Sequence, residues 1–524
     1  MRNFRRTAIA SVINLALLGI SDAQAADTEA MERRIRELES RLAKMDQLEA
    51  RLEKLDQAGA LSAKPATAVI TTAPAAPSPE VEKLNRKVNT LERKLEVQDE
   101  VTTGIFAKLP KFDAGDNGFR ITSADKKHQV RLRGAMQADG RYFVEDDHHL
   151  NTTSFDLKQA RVWVEGYVFK DIYYKIMPDF AASGNILPDA YLDYGYFTPA
   201  QLLAGKFKPS ISLERLQGDS DGTFLERAFP TYLASNRDVG IQVHGAFARP
   251  GSGYSAVKVP GPIDTSNFFT YQLAVDNGSG DDGSPNNNGG ATFDNKEFVG
   301  RVFMQPFMHT GYSWLEGLGI GLAGTTDNPS NQALKNQATP IGRTTYLNYE
   351  KNTYNNAAAP TSNGTRHRIY PQAYWYAGPW GAMAEYAVSS QHLTGTNQAG
   401  QLVNVQQNNK AWQFFTSYVL TGEHNTFGAV KPIQNFSPLD GKWGAWQLAA
   451  RWTEMAIDNS TFQIIDPNKA PNHATAWTLG VNWYLNPYAL VRADYEQVSF
   501  QGGAANGGDR PTEQVFATRF QLSF

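Results

Sequence analysis

The chain contains no cysteine among its 524 residues. That excludes disulfide frameworks, thiolate metal sites and cysteine nucleophiles, and it removes an oxidation hazard in an oxidising compartment. Beyond the N-terminus there is no apolar run of roughly 18 or more residues, so no helical membrane span is expected. Neither sign of charge is in excess. Fifty Lys and Arg against 53 Asp and Glu leave a formal net charge of −3, which implies no attraction to nucleic acid. No Gly-x-Ser-x-Gly elbow, His-Glu-x-x-His pair or phosphate-binding loop occurs, so no catalytic set and no cofactor are expected. His148-His149 is the one adjacent histidine pair and reads as a solvated turn rather than a metal site. A low mean hydropathy of −0.44 still permits a transmembrane barrel, because barrel strands hide half of their residues from lipid.

What is present begins with residues 1–25, which read as a secretory signal peptide. Arg2, Arg5 and Arg6 are followed by an apolar core, Thr7 to Ile20, and by the small-x-small site Ala23-Gln24-Ala25. In 26–57, Met31, Ile35, Leu38, Leu42 and Met45 step by four and three as heptads require, and Leu48, Leu52 and Leu55 continue after a stammer. Residues 81–105 repeat the theme with Val81, Leu84, Val88, Leu91 and Leu95. Between them, 58–80 is an Ala/Pro/Thr linker. So polar a segment cannot cover its own apolar seam, and self-association as an N-terminal periplasmic coiled coil is expected. A homotrimer would satisfy it.

From about residue 115 the pattern changes to alternating strands punctuated by Gly, Asn, Asp and Pro. The tail is the clearest example. Phe516, Thr518, Phe520, Leu522 and Phe524 share one face, while Val515, Ala517, Arg519, Gln521 and Ser523 share the other. Lipid on one side and water on the other suits that division. A final amphipathic strand ending on an aromatic is also the usual assembly signal of a Gram-negative outer-membrane barrel, carried here by Phe516, Phe520 and Phe524. The expected fold is all-β, a 16-stranded antiparallel transmembrane β-barrel over 115–524. Long polar stretches at 276–295, 325–365 and 392–409 read as loops, some turned into the lumen. Along 130–143, Arg131, Arg133 and Arg141 fall on the polar face with Gln137 and Asp139. They serve equally well as anion-binding groups or as ordinary polar lining paired with Asp139, Glu165 and Glu214.

Several motifs in this region resemble the phosphate-selective porin O and P family. They are YYKIMPDF at 173–180, LPDAYLDY at 187–194, GKFKPSISLER at 205–215, TFLER at 223–227 and NRDVG at 236–240. YVLTGE at 418–423, WGAWQL at 443–448 and LGVNWYLN at 479–486 follow. The resemblance implies a trimer of 16-stranded barrels passing phosphate or pyrophosphate through a constriction of a few cations and one carboxylate. It implies Arg215 as the cationic constriction residue and Asp189 as the pore carboxylate. Lys206 takes the place of a pore-wall arginine, and Lys208 that of a residue tuning the choice between the two anions. Lys158 takes one position of a paired-arginine site whose second member is Gln159. The pore-lining arginine run of the phosphate-specific members is reduced here to Arg343 with Lys335 and Lys351 nearby.

The expected function is therefore passive diffusion of small anions, phosphate or polyphosphate among them, across the outer membrane. The expected partners are outer-membrane lipid, inorganic phosphate or other small anions, and two further copies of the chain. Two alternatives stand beside it: a general or sugar-passing porin, and a barrel anchoring a coiled-coil tether to peptidoglycan or another periplasmic partner.

Overall fold

The computed structural model describes eight positions between residues 86 and 97, and then 108–524 except 116–117, 145–151, 183–185, 263–264 and 279–294. The eight positions, among them Arg86, Thr90 and Val97, are helical and exposed. The signal peptide, the first heptad segment, the linker and the apolar seam of the second segment lie outside the described residues.

A short hairpin, β1 (Lys111–Gly115) and β2 (Gly118–Thr122), precedes the main series. That series opens with β3 (Gln129–Phe143), β4 (Ser154–Val168), β5 (Ile172–Met177), β6 (Asp189–Phe197), β7 (Ala200–Phe207) and β8 (Asp238–Phe247). It continues with β9 (Phe269–Asp276), β10 (Glu297–Met304) and β11 (Leu318–Asp327). Three short pieces follow, β12 (Gln332–Ala333), β13 (Gln337–Ala338) and β14 (Thr345–Leu347). The last seven are β15 (Thr361–Ala377), β16 (Trp380–Thr396), β17 (Leu402–Val419), β18 (Ala445–Ala456), β19 (Pro471–Tyr484), β20 (Ala489–Gly502) and β21 (Glu513–Ser523). Strands β3–β11 and β15–β21 pair antiparallel with their neighbours, and β21 returns to β3 in register from Val515↔Phe143 to Ser523↔Ala135. The result is a closed barrel of sixteen strands. Closure leaves no strand edge unpaired, as a wall in hydrocarbon requires.

Alternation decides which residues face which solvent. Met136, Tyr142, Leu192, Leu273, Phe298, Phe414, Phe516 and Phe520 point out and are exposed, while Gln137, Asp139, Gln242, Gln272, Arg492, Arg519 and Gln521 point in and are buried. Apolar outside and polar inside inverts the soluble rule because lipid is the outer solvent. Trp446 stacks on Trp483 at 5.0 Å and Trp380 lies 4.6 Å from Tyr418, forming part of an aromatic girdle at one rim. That rim carries the start of β3 and the end of β21 and is called here the terminal end. At the seam Phe524 donates to the Gly134 carbonyl at 2.9 Å and accepts from its N–H at 3.1 Å. A Cβ on residue 134 would lie 2.7 Å from the Phe524 ring, so glycine lets the aromatic lie against the strand.

One expectation about loops is corrected. The stretch 392–409 is mostly strand, since β16 runs to Thr396 and β17 starts at Leu402. Its inward Leu393 and Val405 are buried in an apolar cluster inside the lumen. The connection 208–237, between β7 and β8, turns inward and was not among the expected loops. Nearly all of it is buried or half-buried.

Candidate functional site: a cation-lined constriction

The inner wall is not uniformly polar, and this positions the inward connection. Tyr370, Tyr374, Met383, Ala387, Ala411, Phe415 and Met455 face the lumen from β15–β18. Against them pack Ile211, Leu213, Phe224, Phe229, Leu233 and Ala234 of 208–237. Apolar burial thus docks the connection on one half of the barrel. Polar bonds then set its register. Ser212 caps the short helix Leu213–Leu216, and Glu385 accepts from the Leu213 N–H at 2.7 Å and the Ser212 hydroxyl at 3.2 Å. Asp494 accepts from the Leu225 N–H at 2.7 Å, and Arg451 donates to the Glu226 carbonyl at 2.7 Å. Segments from both ends meet it. From the terminal end, the Pro262 carbonyl accepts from Ser210 at 2.7 Å and the Phe427 carbonyl accepts from Gln217 at 2.7 Å. From the opposite end, the Thr339 carbonyl accepts from Tyr232 at 3.3 Å and Arg343 donates to Glu226 at 3.0 Å.

The other half of the wall, around β3–β6 and β21, carries charge. Glu226 accepts from Lys158 at 3.0 Å, Arg141 at 3.1 Å, Arg519 at 3.4 Å and Arg343. Arg519 also grips Asp139 bidentately at 2.6 and 2.7 Å. Lys158 owes its aim to a β-bulge: Gln137 pairs with Gln159 and Ala138 with Leu157, so Lys158 has no cross-strand partner. Lys158 and Gln159 thereby both turn away from lipid. A second centre is Asp219, met by Arg161, Arg227, Lys208 and Arg237. Asp189 is paired with Lys175 at 3.1 Å and Arg237 at 2.6 Å. Toward the terminal end Arg131 and Arg133 share Glu165 at 3.7 and 3.6 Å, and Arg133 lies over the Trp163 ring at 5.4 Å. Gln137, Lys158, Asp219, Glu226, Arg227 and Arg519 line a common cavity.

Burial alone would raise the carboxyls of Glu226 and Asp219. The cations outweigh it and hold both below the usual carboxylate range: Lys158 and Arg343 foremost at Glu226, Arg227 and Lys208 at Asp219. Burial pushes the Lys208 ammonium down, against the pull of Asp219.

The residues singled out from sequence therefore separate into two groups. Arg215, Lys206, Lys208 and Arg141 are each less than a tenth exposed. Arg215 donates to Asn236 at 2.8 Å and to the Thr231 carbonyl at 3.2 Å, and Lys208 donates to the carbonyls of Arg215 and Gln217. Arg215 and Lys208 thereby shape the inward connection. Lys158 and Arg133 keep 33% and 39% of their side chains exposed; Arg131 lines the same wall, and Asp189 lies buried on it. Arg161, Lys175, Arg227, Arg237, Asp219 and Glu226 were not singled out. Lys175, Glu226, Arg227 and Arg237 lie inside quoted motifs, but nothing in those motifs says which residues meet across the lumen.

The family model for phosphate-selective porin O and P matches residues 130–524. The chain belongs to that family. Porin O of Pseudomonas aeruginosa is 22% identical over 429 residues, covering 78% of this chain and 91% of that protein. Among solved structures, the outer-membrane channel DcaP of Acinetobacter baumannii aligns with 76% of the chain and 97% of its own, at 10% identity and a TM-score of 0.45. An anion-selective porin from Comamonas acidovorans aligns with 76% of the chain and 100% of its own, at 10% identity and a TM-score of 0.42. As a member of that family the protein is an outer-membrane channel protein.

Proposed function

We propose that this porin passes small oxyanions, phosphate or polyphosphate among them, by passive diffusion. In this reading it works as a homotrimer in a Gram-negative outer membrane, with the terminal end in the periplasm. One observation carries the reading. Partly exposed cations, Lys158, Arg161, Lys175 and Arg133 on the wall of β3–β5 with Arg227 and Arg237 of the inward connection beside them, run from the bulge in β4 toward the terminal rim. Beside low-dielectric walls such a track raises the local concentration of anions. Arginine forks match the geometry of oxyanion oxygens. Asp189 is already paired on both sides and adds no uncompensated barrier to an anion.

The test is the reversal potential of the purified protein in planar bilayers across a salt gradient, with chloride and then with phosphate. An anion-selective potential and a phosphate-dependent reduction of chloride current are expected. A cation-selective potential sinks the reading.

A further inference from the structure

Four cations converge on one carboxylate in the lumen. Arg227 and Lys208 meet one oxygen of Asp219, and Arg161 and Arg237 meet the other, all within 4.0 Å. Arg161 comes from β4, and Lys208, Arg227 and Arg237 come from the start, the interior and the end of the connection 208–237. Each is also held by something else. Arg161 is fixed to Asp179 at 2.8 Å and Arg237 to Asp189 at 2.6 Å. Lys208 is held by two backbone carbonyls at 3.0 and 3.2 Å, and Arg227 by the carbonyls of Glu214 and Gln217, both at 3.2 Å. The cradle therefore does not depend on Asp219 for its shape.

Asp219 is itself fixed. Its carbonyl accepts from Gln137 at 3.1 Å, the Ser220 carbonyl accepts from Gln521 at 2.9 Å, and the Asp221 N–H closes a turn onto the Gly218 carbonyl at 2.9 Å. The backbone is pinned to both sides of the barrel seam, so the carboxylate does not swing out of the cradle. Forked guanidinium and ammonium donors around a carboxylate offer what a free oxyanion needs: several charge-assisted bonds in fixed geometry. With Lys175 and the partners Asp179 and Asp189 included, five cations face three carboxylates. Conduction requires a site attractive enough to enter and weak enough to leave.

Building on the anion-porin reading, we propose that Asp219 is a built-in counter-anion that sets how tightly the constriction holds an oxyanion. It offsets part of the cradle's charge, so that phosphate is attracted and released rather than trapped.

The experiment uses the full-length protein in planar bilayers, with inorganic phosphate as blocker of chloride current. For Asp219→Asn the half-blocking phosphate concentration should fall at least roughly fivefold, with stronger anion selectivity, and Asp219→Glu should restore wild-type block. An Asp219→Asn protein that keeps the wild-type heat-modifiability but shows unchanged block overturns the proposal. Should Asp219→Asn not fold, Arg227→Gln is compared with the pair Arg227→Gln/Asp219→Asn, which restores the wild-type charge count. The pair must hold phosphate more tightly than Arg227→Gln alone, and equal block overturns the proposal. A cation-selective wild type would instead defeat the anion-porin reading itself. An anion-selective wild type with unmoved variants defeats only the role of Asp219.

Discussion

Replacing Lys158 by Gln removes one positive charge at the bulge of β4 and keeps much of the side chain's length. The side chain is one-third exposed and its ammonium lies 3.0 Å from Glu226, so neither the bulk-water nor the dry-protein limit applies. For an anion passing about 5 Å away at an effective dielectric constant of roughly 40, the lost attraction is about 1.7 kcal/mol before screening. At about 0.1 M salt, where the Debye length is ~10 Å, screening reduces this to about 1 kcal/mol. That corresponds to roughly a fivefold fall in relative anion permeability at low salt. The assay is the reversal potential across a fixed salt ratio, taken once near 0.1 M and once near 1 M. At the higher concentration the Debye length of ~3 Å should remove most of the difference between variant and wild type. An unchanged potential at low salt would show that Lys158 does not face the permeating ion. A difference equally large at both concentrations would show that its effect is steric, not electrostatic.

Three further outcomes are expected. Arg215→Ala should cost about 2 kcal/mol through its lost charged hydrogen bonds. It should show as noisier open-channel current and a lower unfolding temperature, with the sign of selectivity kept; a potential inverted as strongly as in a charge-reversed pore would return Arg215 to the pore wall. Glu226 and Asp219 have folded-state pKa values below their unfolded ones. Their contribution is therefore complete above about pH 4 and is lost as pH falls through the depressed folded values. The difference in heat-modifiability between wild type and Glu226→Gln should stay constant from pH 7 to about pH 4 and shrink only below, and a difference that shrinks between pH 7 and pH 5 would contradict that assignment. Gly134→Val would set a side chain where the Phe524 ring lies, costing about 1–3 kcal/mol by overpacking. Unaltered urea resistance would show that the seam does not need the close approach.

Strand positions were legible because period-two alternation is a local signal. Val130 to Phe143 and Val515 to Phe524 sort into lipid and lumen faces by spacing alone. The interior was less legible. Alternation marks Tyr370, Met383 and Phe415 as facing the same side as Arg519 and Gln137 along their own strands, but it does not say that the first three form a dry surface. That surface decides that 208–237 turns inward, and with it which cations stay accessible. Arg215 and Lys208 drew attention through a motif, yet the structure turns both toward the carbonyls of their own connection. Arg161 and Asp219 lie 58 positions apart and belong to no common pattern. Pairings of this kind arise from closure of the barrel, which no window of sequence contains.

The seam at Phe524 bears on how the molecule is made. Arg133 and Phe524 meet across 391 positions, about the largest loop the barrel can close. Contacts at such separation form late and slowly, since chain entropy must be lost before they reward it. Until they form, β3 and β21 are two open edges exposing unpaired backbone, prone to pairing with another chain. The pinning of Asp219 uses Gln137 and Gln521, one from each of those edges. On the proposed reading, the surroundings of Asp219 therefore reach their working geometry only when the wall is sealed.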